Sequence, residues 1–220
     1  ASVGLGQQLT HVFHSFEDLL AIFALGVMVA LPLAEIVIRP FIPGGIPGSI
    51  PFVEHLTLWV GFLGAALAAR HGKLIALATA SFIPDGSIRR ATELFSATVA
   101  AIVSAVLARA AVDIVAIEMD IGAEIALGVH TWVFQLVLPV SFIAIALRLM
   151  WRAGGWRARG VAASGIIFAL WLVPSFEILA GMAGWWIVVL VIVAALAGAP
   201  IFTVLGGLAV FLYMTEAIDP

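Results

Sequence analysis

Long apolar runs, separated by short stretches rich in charge, glycine or proline, set the pattern of this chain. A helix that crosses a bilayer needs about 20 consecutive apolar residues, and several runs reach that length. The first extends from Leu19 to Ile38, led in by Glu17 and Asp18 and ended by Arg39-Pro40. Pro43-Gly44-Gly45-Ile46-Pro47-Gly48 follows as a stiff loop that cannot be helical. Ser49 to Ala69 is the second expected span. Leu74 to Phe82 is apolar but too short to cross, and basic residues flank it, which predicts a helix lying in the interface near 73–83. The third run starts near Ile88 and reaches Met119. It would be roughly 45 Å long at 1.5 Å per residue, so it must tilt or extend beyond the bilayer. The fourth runs from about Val129 to Trp151 with an expected kink at Pro139, and the fifth from Val161 to about Met182 with Pro174 and Glu177 inside. A short turn is expected at Gly181 to Gly184. The sixth span, Trp185 to about Met214, should bend or break at Pro200, which cannot donate to the carbonyl of Leu196. The pattern predicts an all-α polytopic membrane protein with about six transmembrane helices and one interfacial helix.

Composition agrees. The 220 residues are 64% hydrophobic and 10% charged, against about 25% charged in soluble domains, which leaves too little polar surface to coat a soluble globule. The net charge of -3 gives no basic patch suited to nucleic acid. With no cysteine, disulfides, thiolate catalysis and cysteine-ligated metals are excluded. The first apolar run has no basic leader and is too long for a signal peptide, so it reads as a retained span. Eight of the ten basic residues flank two loops: Arg70, Lys73, Arg89 and Arg90 the first, Arg148, Arg152, Arg157 and Arg159 the second. Basic short loops face the cytoplasm. The Pro/Gly loop at 40–51 and the acidic end around Asp120 then face outward, and both termini come out cytoplasmic.

Candidate chemistry is sparse. No phosphate-binding loop, catalytic triad or HExxH motif is present, so nothing points to an enzyme. His11, His14, His55, His71 and His130 admit a rival reading, a haem-binding membrane anchor of a redox complex; His11 and His14 share a helical face, while the others stand at span ends. A free-standing channel or carrier is a second alternative. Arg109 and Asp113 are four apart and can pair on one helix face as a structural ion pair. Glu35 and Glu54 lie near the outward boundary, and Glu177 lies within the fifth span, where a charge is costly and marks a candidate substrate or ion contact. Most of the seven tryptophans, Trp151, Trp156, Trp185 and Trp186 among them, sit at span ends, where aromatic belts form.

The most informative stretch is Glu54 to Lys73. Gly61, Ala65, Ala68 and Ala69 can share a stripe there, and small stripes mark helix packing in lipid. Glu54, Trp59, Gly61, Gly64, Ala65, Ala68 and Arg70 are therefore the packing candidates. Glu54, Trp59, Phe62-Leu63-Gly64-Ala65-Ala66, Ala69-Arg70 and Gly72 resemble the small membrane subunit of tripartite ATP-independent periplasmic (TRAP) transporters, with Trp132, Pro139 and Arg148 suiting its fourth span. The likeness covers about residues 10–155, although Lys73-Leu74-Ile75 stands where the family often has a histidine. Leu196-Ala197-Gly198-Ala199-Pro200-Ile201-Phe202 and Leu205-Gly206-Gly207-Leu208-Ala209 resemble the opening of the large TRAP membrane subunit.

The resemblance implies a four-span scaffold over 1–155, a linker helix over 156–184 and the first helix of a fused large subunit over 185–220. It implies a bacterial inner-membrane component of a sodium-driven, binding-protein-dependent importer of organic acids such as carboxylates or sialic acids. The partners would be the large subunit, a periplasmic substrate-binding protein and membrane lipid. No cofactor is expected on this chain, and sodium belongs to the large subunit. Asp120 and Glu124 are the candidates for docking the binding protein. The topology is open to cysteine labelling: Gly86→Cys should react with a membrane-impermeant thiol reagent only from the cytoplasm and Gly122→Cys only from outside, and the reverse pattern would overturn the arrangement.

Overall fold

The computed structural model describes residues 5–42, 45–76, 86–126, 128–172 and 176–216. The helices are α1 (Leu5–Ile38), α2 (Ser49–His71), α3 (Ser87–Ile121), α4 (Thr131–Gln135), α5 (Val137–Arg152), α6 (Trp156–Leu172), α7 (Phe176–Leu196) and α8 (Ile201–Glu216). Strands β1 (Glu124–Ala126) and β2 (Val129–His130) form a small antiparallel pair after α3. Among the described residues four segments are long and apolar enough to cross a membrane: Val12–Ile38, Ser49–His71, Ser87–Ile121 and Thr131–Arg152. The last contains α4 and α5, interrupted at Leu136. Pro139 explains the interruption, because it has no N–H to offer the carbonyl of Gln135 four residues back.

The chain divides into two compact units, Ala1–Leu67 with Val112–Ser141, and Ala68–Ala111 with Phe142–Pro220. In the first, α1 is apolar all round from Leu19 to Ala34 and exposes Leu19, Ile22, Phe23, Val29, Leu33 and Ile36, burying only Ala24 and Glu17 deeply among its described side chains. A helix of this kind is at home in hydrocarbon. The loop after it is tied back by Glu35, whose Oε2 accepts the Ile46 N–H at 2.7 Å. Gly45 has φ +66, and a Cβ there would overlap the Glu35 carboxylate, so glycine is required on both conformational and steric grounds.

The second unit is built on glycine-terminated helices. At the end of α2, Gly72 (φ +67) allows the Gly72 N–H to reach the Ala69 carbonyl and the Lys73 N–H the Ala68 carbonyl, the paired bonds of a Schellman cap. Gly198 (φ 91) ends α7 in the same way, with Gly198 N–H on Ala195 and Ala199 N–H on Ala194. The chain then reverses: α8 folds back along α7, and Gly207 lies against Val191. The tip is fastened by the Ile201 N–H, which donates to the Ile75 carbonyl at 2.8 Å, beside an Ala76–Pro200 bridge. Val99, Ala194 and Ala199 form a buried cluster below the tip, with Phe95 and Val103 packed on it.

Several expectations change here. The residues from 185 to 214 are not one bent span but parts of a helical hairpin, because a left-handed glycine followed by proline stops α7 outright and α8 must restart in a new direction. The chain therefore leaves the tip on the side from which it arrived, which removes the basis for a cytoplasmic C-terminal end. The expected turn at Gly181–Gly184 is absent: α7 runs through it, since a helical glycine costs only about 1 kcal/mol and no proline is present to remove a backbone donor. The expected fifth span is divided between α6, which ends at Leu172, and α7, which starts at Phe176; residues 173–175 lie outside the described residues. Of the expected interfacial helix, Lys73 to Ala76 are non-helical and 77–85 lie outside the described residues.

The Glu35 latch can be measured by hydrogen exchange. Removing a hydrogen bond to a charged acceptor is worth about 1.5 kcal/mol or more, so Glu35→Ala should raise the exchange rate of the Ile46 amide at least about tenfold, while Glu35→Gln, which keeps an acceptor oxygen, should change it less. Unchanged exchange in Glu35→Ala would mean that the loop is held by something else.

Candidate functional site

No set of three or more metal-ligating side chains is gathered among the described residues. What the chain presents is surface: two faces of α2, an acidic end and a basic end.

One face of α2 is committed internally. Phe134 is surrounded edge-on by Phe52 and His55, each at a ring-centroid distance of 5.6 Å, and by Trp59 at 6.3 Å. The Trp59 indole N–H donates to the Phe134 carbonyl at 2.9 Å. The His55 Nδ1–H bonds the Pro51 carbonyl at 2.8 Å, one turn back. Trp59 and His55 therefore hold α2 against α4, with the polar ring atoms using backbone acceptors. Leu56, Leu63, Ala66 and Ala69 are also buried.

The other face is open. Glu54, Gly61 and Gly64 are exposed, as are Thr57 and Leu58, whereas Ala65, Ala68 and Arg70 are half-buried. A Cβ added at Gly61 or Gly64 would meet nothing within 4 Å. The stripe expected from sequence is thus split: Ala69 is buried, and the two glycines are exposed, with no neighbour close to them among the described residues. Arg109 and Asp113 are exposed on α3, and both are engaged in interactions. Asp120 stands exposed on the last turn of α3, and Glu124 is exposed on β1, paired in register with His130. His71 is exposed at the end of α2, His14 is exposed on α1, and the side chains of His11 and Glu177 lie outside the described residues.

The basic end was only partly legible. The Arg152 guanidinium lies against the backbone of Gly72, where a Cβ would collide with it. That contact joins the loop after α2 to the loop after α5. The hairpin tip is tied to Ile75, and Ala199 at the tip packs on Val99, three turns into α3. The ends of α2, α3, α5 and α6 that carry these seven arginines and one lysine so belong to one end of this unit. Sequence reasoning missed the close helix approaches at Gly165, Gly206 and Gly207. An added Cβ at Gly206 would stand 2.7 Å from Leu107 Cδ1, and at Gly165 3.0 Å from Ile102 Cδ1. The available signal was alanine, serine and glycine at three- and four-residue spacing in α3 together with Gly206-Gly207.

Four apolar spanning segments, an internally packed α2 and a concentration of positive charge at one end define a multi-pass α-helical membrane protein. Residues 28–159, more than half of the chain, match the family described as tripartite ATP-independent periplasmic transporters, DctQ component. The chain belongs to that family, the small membrane component of TRAP systems, which is a family of transporter parts rather than of enzymes. No curated protein matches the sequence.

Proposed function

We propose that this chain is the scaffold of a sodium-driven importer of an organic acid, lying in a bacterial inner membrane with its basic end in the cytoplasm. The observation that supports this reading best is the pair of unequal faces of α2: one locked by Trp59 and Phe134, the other offering Gly61 and Gly64 with nothing against them. A rigid helix with an open small-residue face suits close backbone packing by a second membrane subunit, for which van der Waals contact supplies the affinity. The contact between Arg152 and Gly72 supports the orientation, since it draws both arginine-rich loops to one side. Residues beyond 159 lie outside the family match, which fits a linker over 156–184 and the opening of a fused large subunit over 185–220, now read as a hairpin rather than a single helix. Sodium and substrate are then handled by the large subunit, and Asp120 and Glu124 meet the soluble binding protein.

Gly64→Leu should abolish or strongly reduce co-purification with the large subunit while leaving membrane insertion intact; normal co-purification and full transport would remove the packing role of this face. With the complete transporter in vesicles, Asp120→Asn with Glu124→Gln should slow delivery by the binding protein, most at low salt, because complementary charge speeds encounter. Sodium dependence should not change, and a shifted sodium Hill slope would place coupling residues on this chain.

A further inference from the structure

The start of α6 is densely positive. Arg152, Arg157 and Arg159 fall within eight residues, with no acidic residue between Arg148 and Arg159. Among the described residues no carboxylate is found against any of the three. Arg159 lies over the Trp151 ring at 5.4 Å and Arg157 over the Trp156 ring at 5.6 Å, and both rings are exposed. Arg159 also keeps a buried Nε without a partner. Exposed tryptophans under arginines are the chemistry of the headgroup layer.

Below this cluster α6 carries a second feature on the same side. Arg157, Val161, Ser164, Phe168 and Trp171 recur at helical three- and four-residue spacing and share one face. Ser164, Ile167, Phe168 and Trp171 line a shallow, open apolar groove along α6. Val161, Ile167, Phe168 and Trp171 are all exposed. Ser164 to Phe168 lie about 10 to 17 Å along the helix from Arg157 at 1.5 Å per residue, and one leaflet of hydrocarbon is about 15 Å deep. The first-turn amides of α6 add a favourable dipole for an anion.

We propose that this face of α6 binds one anionic phospholipid. Its phosphate is held by Arg157, with Arg152 and Arg159 adding positive charge at the same end, and an acyl chain runs past Val161 along the groove at Ser164, Phe168 and Trp171. The ligand is thus recognised by charge at one end and hydrocarbon at the other. Clustered arginines contribute roughly fivefold each to the binding of anionic lipid near a membrane surface.

The test is native mass spectrometry of the full chain in detergent, titrated with phosphatidylglycerol, with phosphatidylcholine of the same chains, or with inorganic phosphate. We expect a first phosphatidylglycerol to bind more tightly than phosphatidylcholine. Arg157→Gln should weaken it about fivefold, and the Arg152, Arg157 and Arg159 triple glutamine variant should erase the preference for the anionic lipid. Arg157→Lys should retain most of it, which separates loss of charge from misfolding. Ser164→Trp, filling the groove, should weaken both lipids and leave the headgroup preference. Equal affinity for the two lipids, or an unchanged preference in the triple variant, would overturn the proposal. So would inorganic phosphate that competes as well as the lipid, since it would make this a simple anion site.

Discussion

A helix end buried inside the protein must find partners there for its backbone N–H and C=O groups, and the hairpin tip between α7 and α8, with Ala199 fully buried, shows how this chain does so. A helix end leaves backbone groups unpaired. Gly198 turns the chain so that two amides bond back into α7, and the next helix begins with an Ile201 amide given to the Ile75 carbonyl. The tail of α2 thus completes an element more than 120 residues later in the chain. Gly72 caps α2 by the same geometry and in doing so clears the space that Arg152 occupies. Two left-handed glycines and one interelement hydrogen bond bring the end of α2, the end of α5 and the hairpin tip together.

Packing within the second unit follows from the absence of a hydrophobic drive between helices in lipid. Ala100, Ala101, Ser104, Ala162, Ala194 and Ala199 are almost completely buried, while Ile167, Phe168, Trp171 and Leu205 are exposed. Small residues let backbones approach and gain dispersion contacts, and large ones face outward, the reverse of a soluble core. Gly61 and Gly64 on α2 use the same residue types without an internal neighbour. That difference, rather than the presence of small residues, separates a face used within the chain from one available to another subunit.

Charge is placed at ends rather than in the middle. Arg152 stands where the last carbonyls of α2 carry partial negative charge, an arrangement that stabilises a cation. The exposed Arg89–Glu93 pair at 3.1 Å contributes little by comparison. Glu35 does for the Pro/Gly loop what glycine does for the helix ends, by giving the Ile46 amide an acceptor. Glu35 and Arg152 thus each serve backbone groups, one at a loop and one at a helix end.

The sequence by itself determined the membrane class, the four long spanning segments and the arginine-rich ends, because span length and charge placement answer to the bilayer, which acts on each segment locally. It also determined the family, through the stretch around Trp59 and Gly64. The α7–α8 hairpin was decided only in three dimensions: Gly198-Ala199-Pro200 is compatible with a kink or a reversal, and the choice lies with the packing of Gly207 on Val191 and the bond to Ile75. The burial of Ala69 and the exposure of Gly64 were equally hidden, since both residues are small and apolar and only their neighbours distinguish them. The pairing of Arg152 with Gly72 joins positions 80 residues apart in the sequence, and no local pattern in either encodes it.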